Sequence, residues 1–220
     1  GSEMCIRDSV PDRVVVLNPN HTGLGAGVAL WPEGPWETPL GDVPADETLT
    51  RLLLRHAPVT EDPLPHRVEH SGELQLPFLK MRNPQVRVAV ICVGTHDLRE
   101  LQRLGDGLAK AIEESGEPTL IVASTDMSHY LPEEEARSKD EAALEYVKRL
   151  DEEGLFEAAR RLWPQGAGMC GAAPVAAAVR AAKALGASEG VLLKYATSGD
   201  VTGDFNQVVG YTAIAFSRED

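Results

Sequence analysis

The amino-acid sequence predicts an α/β protein built as three layers, with helices on both faces of a central, mainly parallel β-sheet. Segments with strand composition alternate along the chain with segments of helical periodicity, an arrangement typical of parallel α/β sheets. Several apolar runs are rich in β-branched residues and lack polar alternation, as expected of strands buried on both faces. The 220 residues, 43% of them hydrophobic, are enough for one sizeable domain.

The first half of the chain contains three predicted strands and two predicted helices. Residues 13–17 are expected to form the first buried strand, and a short strand follows at Gly27–Trp31. Leucines at helical spacing behind an acidic start predict a helix from Ala45. The segment SGELQLPFLKM is also predicted to be helical, with Pro77 at a bend or a boundary. A strong buried strand is predicted at 86–93.

The second half continues the alternation of strands and helices. A helix is predicted from Asp97, and a strand is predicted at 118–123. The acid-rich segment from Glu133 to Glu153 interleaves Lys and Arg at helical spacing, which indicates one long solvated helix. An alanine-rich helix begins at Gly171, and its small residues suit close packing on a sheet. Two strands close the chain, at 190–196 and 207–216.

Composition and charge argue against several classes of function. A net charge of −13 disfavours a nucleic-acid backbone or an anionic membrane surface as the main partner. No run of about 18 apolar residues is present, so we expect no membrane span. Cys5, Cys92 and Cys170 are widely spaced without a Cys-x-x-Cys motif, which predicts a reducing, cytoplasmic compartment and no disulfide framework. Residues 1–12 show no signal-peptide pattern, and we expect an unstructured or artefactual leader.

Polar residues that directly follow buried strands are the first candidates for chemistry, because ligands of open α/β sheets collect at the carboxyl ends of the strands. His21 follows the first strand, and Asp126 and His129 follow a later one. Cys170 precedes the alanine-rich helix, whose dipole favours a thiolate. Two imidazoles with a carboxylate or a thiolate are a ligand set for divalent metals. The alternative is a set of hydrogen-bonded loop residues that bind nothing.

Two further candidates precede the predicted helix that contains Pro77. Glu69 and His70 are adjacent in the sequence. One interpretation is that Glu69, next to His70, supports a functional site from outside the residues that contact a ligand. The other is that it caps the helix. The sequence leaves both interpretations open.

Six motifs occur together and in order: NPNHTG, ETPLGDV, EHSGELQLPFL, STDMSHY, MCGAAPV and YATSGDVTGDFNQVVGY. On these motifs, from about Val14 to Phe216, the chain resembles the Memo family, also called the AmmeMemoRadiSam system protein B family. The resemblance implies a fold similar to that of class III extradiol dioxygenases. Those enzymes open catechol rings with non-haem Fe(II), which two His and a Glu hold.

The resemblance also assigns roles to individual residues. His21 corresponds to the second iron-ligand histidine, and Cys170 falls where the dioxygenases have the Glu. His129 corresponds to the acid/base histidine, and Asp126 lies in the same family pocket. We therefore predict a metal ion, Fe(II) or Cu, on His21 and Cys170, with His129 and Asp126 as catalytic residues. The functional atoms are expected within roughly 10 Å of one another, in a cleft also lined by Glu69 and His70.

Two functions follow from the resemblance. One is a metal-dependent oxidoreductase related to the dioxygenases, acting on a small molecule. The other is a non-enzymatic module that keeps the pocket and binds a peptide or a protein, and the family name also indicates a radical SAM protein as a partner. Memo proteins begin with a strand ending in a Pro-His-Ala-Gly-Tyr-like motif, and nothing before Val14 resembles it. We expect residues 13–220 to form an N-terminally truncated Memo-like domain that binds divalent metal weakly and cleaves no ring.

Overall fold

The computed structural model describes residues 10–32, 34–162 and 167–217. The chain divides into two compact units. The first unit comprises Gly1–Thr95 and Asp106–Ser124, and the second comprises His96–Gly105 and Thr125–Asp220. The single-domain bounds expected from the sequence, 13–220, stay a prediction.

The first unit contains a mixed but mostly parallel sheet. Its strands are β1 Arg13–Pro19, β2 Val28–Leu30, β3 Thr60–Glu61, β4 Arg87–Val93 and β5 Thr119–Ala123. The strand order is β3-β2-β4-β1-β5. β1 is buried along its whole length and pairs in parallel with both β4 and β5. β2 runs antiparallel to β4, and β3 runs parallel to β2. The predicted fold class, α/β with a mainly parallel sheet, is confirmed.

The first three helices begin where the sequence provides a cap or a proline. Their bounds are α1 Glu47–His56, α2 Leu76–Arg82 and α3 Leu98–Ser115. The Asp46 side chain accepts a hydrogen bond from the Leu49 amide at 2.8 Å and thereby caps α1. Pro77 lies in the first turn of α2, where its missing N–H costs nothing, so it marks a boundary rather than a bend. Asp97 accepts from the Arg99 amide at 2.8 Å, just ahead of α3.

The second unit contains a three-stranded antiparallel sheet. Its elements are β6 His129–Leu131, β7 Glu189–Thr197, β8 Val208–Ser217, α4 Glu133–Lys148, α5 Glu152–Leu162, α6 Ala172–Ala184 and α7 Gly199–Thr202. The strand order is β6-β8-β7. The two predicted C-terminal strands are present, but they pair antiparallel with each other in this separate sheet. The connection from Thr197 to Val208 is too short for the crossover of about a dozen or more residues that a parallel pair requires.

The acidic segment expected to be one helix from Glu133 to Glu153 is broken into α4 and α5. Leu150 adopts a left-handed conformation, with φ of 54°, and its side chain is buried. Asp151 then accepts a hydrogen bond from the Gly154 amide at 2.9 Å, as an N-cap does. The expectation of a single helix was wrong because the charge pattern continues across this cap.

The expected leader and the expected absence of a membrane span can be compared with the described residues alone. Of the expected leader at 1–12, residues 1–9 lie outside the described residues. Val10 packs against the core of the first unit, and its carbonyl oxygen accepts from Asn83 Nδ2 at 2.9 Å. Among the described residues, no helix has both the length and the apolar character needed to cross a bilayer.

Candidate functional site

The first group of candidate residues lies in the first unit and consists of His21, Glu69 and His70. The backbone amide of His21 donates to Glu69 Oε2 at 2.7 Å, and its ring Nδ1 lies 3.1 Å from both carboxylate oxygens. The Glu69 side chain is 1% exposed, whereas 38% of the His21 side chain is exposed. A buried carboxylate therefore holds a solvent-facing imidazole.

The short loop after β1 places His21 on Glu69. Asn20 Oδ1 accepts from the amides of Thr22 and Gly23, at 3.2 and 2.9 Å, which folds the loop back on itself. On the other side, Gly72 lies directly against β1: a Cβ at this position would be 2.6 Å from Asn18 Oδ1. Any larger residue would force the Asn18 side chain to move, so the glycine allows the Glu69 segment to approach the end of β1 closely.

Glu69 is already saturated with hydrogen bonds. Besides the two His21 groups, the amides of His70 and Ser71 donate to Oε1, each at 3.0 Å, and the Ser71 hydroxyl donates to the same oxygen at 2.7 Å. A carboxylate offers about four lone-pair positions, and five donors of the described residues approach this one. Glu69 therefore has no free lone pair for a metal ion, and its role is to orient His21.

The same hydrogen bonds control the charge of Glu69. Burial alone would raise the pKa of its carboxyl, but the donors from His21 and Ser71 outweigh burial and lower the pKa to about 2. Glu69 is therefore ionised at neutral pH, so His21 Nδ1 carries a proton towards it. The lone pair of a neutral His21 ring is then on Nε2, the atom away from Glu69.

His70 completes the first group. Its ring stacks on that of His21, with centroids 5.7 Å apart and an interplanar angle of 19°. One potential ligand atom of each of the three side chains lies within 4.8 Å of the others. With Glu69 saturated, the two imidazoles are the members of this group that can bind a metal.

The second group of candidate residues lies in the second unit and consists of Asp126, His129 and Cys170. The Asp126 amide donates to Cys170 Sγ at 3.2 Å, and the Cys170 amide donates to the Asp126 carbonyl oxygen, also at 3.2 Å. His129 Nε2 lies 3.8 Å from Asp126 Oδ2. Cys170 is 44 positions from Asp126 in sequence, yet the two are adjacent in space.

Cys170 differs from the expectation of a thiolate favoured by a helix dipole. Burial raises the pKa of its thiol, and the hydrogen bond from the Asp126 amide offsets this only in part. The protonated thiol is therefore the resting form of this residue in the absence of a metal ion, since desolvation outweighs the helix N-terminus.

All of these side chains were expected in one cleft, and that arrangement stays a prediction. The sequence did not indicate Ser71, whose hydroxyl bonds to Glu69, or the buried pair Ser128 and Asp140 behind the second group. Asp140 lies on the helical pattern of the acidic segment, where a charged residue on the buried face was the available signal.

Comparisons with known proteins agree with the motifs. A family model described as Memo-like protein matches residues 4–215. A MEMO1 family protein of Methanopyrus kandleri is 46% identical over 94% of this chain and 73% of its own length. A MEMO1 family protein of Aquifex aeolicus is 39% identical over 97% of this chain and 79% of its own length. An uncharacterized protein of Escherichia coli K12, solved by crystallography, is similar in fold alone, with a TM-score of 0.58 at 14% identity, covering 94% of this chain and 89% of that one.

Proposed function

Because the chain belongs to the Memo-like protein family, we propose that it binds a divalent transition metal, with His21 Nε2 as a ligand. The observation that carries this proposal is the ionised, buried carboxylate of Glu69 on His21 Nδ1. Metal-binding histidines commonly donate their second ring N–H to a carboxylate, which fixes the tautomer and makes the free nitrogen a better ligand.

The donor set limits which ions are candidates. Imidazole nitrogens from His21 and His70 suit Fe, Cu and Zn rather than Mg or Ca. Cys170, the further ligand taken from the family resemblance, would favour softer ions such as Cu. We propose Fe(II) or Cu as the ion, and an oxidoreductase related to the extradiol dioxygenases as the activity. In that activity the ion would supply redox chemistry, while His129 and Asp126 would hold and move a proton.

The proposal is tested by isothermal titration of Fe(II), under anaerobic conditions, into the wild-type chain and into His21→Ala. We expect at least a tenfold loss of affinity, about 1.4 kcal/mol. The matched control is His56→Ala, because His56 Nε2 also lies on a carboxylate, 2.6 Å from Glu114 Oε2. Equal affinities for wild type and His21→Ala would refute the proposal, and Cys170→Ser is titrated in parallel to test the ligand added by resemblance.

One observation favours a second candidate function, the binding of a peptide or protein without catalysis. Large apolar side chains next to the first group in sequence are more than half exposed, namely Val68, Leu74, Phe78 and Met81. Three of them recur at helical spacing and so form one stripe along α2 and the turn before it. Under this alternative, Phe78→Glu would abolish binding of a labelled Leu/Lys amphipathic peptide, measured by anisotropy. Stoichiometric Fe(II) binding with redox turnover would favour the first function.

A further inference from the structure

Ser128 is a buried residue that links the two loops carrying the second group. Ser128 and Asp140 are both completely shielded from solvent. Asp140 Oδ1 accepts from the Ser128 amide at 3.0 Å and from the Ser128 hydroxyl at 2.5 Å. The oxygen of the same hydroxyl accepts from the Gly168 amide at 3.3 Å. One hydroxyl group therefore joins α4 to two different loops.

Those two loops carry the second group. Ser128 lies between Asp126 and His129, and Gly168 lies two residues before Cys170. The contact of Cys170 Sγ with the Asp126 amide depends on the relative position of the two loops. Thr125 provides the other side-chain link, because its Oγ1 accepts from the Gly171 amide at 2.9 Å. The Cys170 loop is thus attached on both sides of the cysteine.

We infer that Ser128 is a positioning residue, which holds the Cys170 sulfur against the Asp126 amide by tying both loops to the buried carboxylate of Asp140. The inference rests on the proposed function only in taking the second group as functional. Its direct consequence, restricted access to the Cys170 thiol, requires no metal ion and no substrate.

The competing explanation is that Ser128 contributes only stability, as one of several donors to a buried acid. Tyr195 allows a positioning role to be distinguished from a role in stability alone, since its hydroxyl donates to the other oxygen of Asp140 at 2.7 Å. Burial, together with this hydrogen bond to Asp140, raises the pKa of Tyr195, so the phenol remains a donor. Tyr195→Phe removes one hydroxyl from the same acid, as Ser128→Ala does, but Tyr195 lies on β7, and among the described residues its hydroxyl bonds to Asp140 and to neither loop.

The experiment measures the rate of alkylation of Cys170 by iodoacetamide in the full chain, read at peptide level by mass spectrometry. Ser128→Ala should raise the rate at least fivefold, whereas Tyr195→Phe should stay within twofold of wild type. Cys92, which is fully buried in β4, serves as an internal reporter of global unfolding and should remain unmodified throughout. Ser128→Thr keeps the hydroxyl and should restore the wild-type rate, even though its extra methyl group lowers thermal stability.

Three results would overturn the inference: an unchanged rate in Ser128→Ala, an equal rise in Tyr195→Phe, or a parallel rise at Cys92. Failure of the Fe(II) titration would overturn the proposed metal binding and leave this rate comparison unaffected. The two proposals therefore fail in distinguishable ways.

Discussion

Replacing Glu69 by Gln should make the stability of the chain much less dependent on pH in the acid range. In the folded chain the pKa of Glu69 is about 2, against a usual value of 4.5, because the hydrogen bonds from His21 and Ser71 outweigh burial. A carboxyl whose folded pKa is lowered stabilises the fold above its unfolded pKa and loses that stabilisation as the pH falls towards the folded pKa. The difference of about 2.5 corresponds to roughly 3 kcal/mol, of which about 2 kcal/mol is lost by pH 3.

The assay is urea unfolding of wild type and Glu69→Gln at several pH values between 7 and 3, followed by circular dichroism. Other carboxyls with lowered pKa values, such as Asp62 and Glu152, titrate equally in both proteins, so the difference in unfolding free energy isolates Glu69. That difference should be largest at pH 7, where Glu69 is fully ionised. It also includes the cost of the Gln amide NH2, which would face groups that donate to Glu69 in the wild type. It should shrink by about 2 kcal/mol at pH 3.

Glu114→Gln is the matched control, because Glu114 also binds a histidine and its pKa is also lowered, mainly by His56. Its side chain is 43% exposed, so water screens the pair and the pH dependence should change little. A difference between wild type and Glu69→Gln that stays constant from pH 7 to pH 3 would refute the reasoning. It would mean that the hydrogen bonds from His21 and Ser71 do not hold Glu69 ionised.

Three further predictions concern stability and are checked by the same unfolding measurement. Arg13→Met should cost about 3–5 kcal/mol because it removes the buried guanidinium that lies 2.7 Å from the buried carboxylate of Asp46. Arg87→Met should cost less than about 1 kcal/mol, because Arg87 is half-exposed and lies 3.5 Å from the same carboxylate. Gly105→Ala should destabilise by about 1–3 kcal/mol despite the better helix propensity of Ala, because the new Cβ would lie 2.6 Å from Arg180 Cβ. Tyr130→Asn should stabilise by up to about 1 kcal/mol, because Tyr130 is 73% exposed and has a φ of 59°.

The sequence predicted β1, β2, β4 and β5 well because runs of apolar and β-branched residues are a clear local signal, whereas the two-residue β3, exposed at both positions, was not predicted. The β-branched runs that became β1, β4 and β5 were located to within two residues at each end. Helix starts were equally visible where a capping residue such as Asp46 precedes a leucine pattern. These local signals do not show which strands pair. The strands β7 and β8 were predicted, but their antiparallel pairing in a separate sheet was not; it follows from the short connection between them.

The site was predictable in its residue types and not in its contacts. His21 and Glu69 are 48 positions apart, and no spacing rule links a strand-end histidine to a glutamate in a later turn. Their contact depends on the close approach of Gly72 to β1, which appears in the sequence as an ordinary glycine. Ser128 and Asp140 were missed because their contact joins a loop to a helix 12 positions later, and a charged residue on a helix is assigned to the solvated face until its neighbours are known.

Under the proposed metal binding, the saturation of Glu69 limits the kind of site that the first group would form. Three protein ligands from this group would come close to the closed coordination of a structural site. Glu69 has no lone pair left, however, so the group offers at most two nitrogens, from His21 and His70. An ion held by two imidazoles keeps several positions for water, substrate or further ligands, as catalytic metals require and structural metals do not. It is also held weakly, because metal affinity rises with the number of protein ligands. Under the proposed metal binding, two imidazoles with open positions around the ion, one of them kept in a single tautomer by a buried acid, would favour a catalytic ion over a structural one.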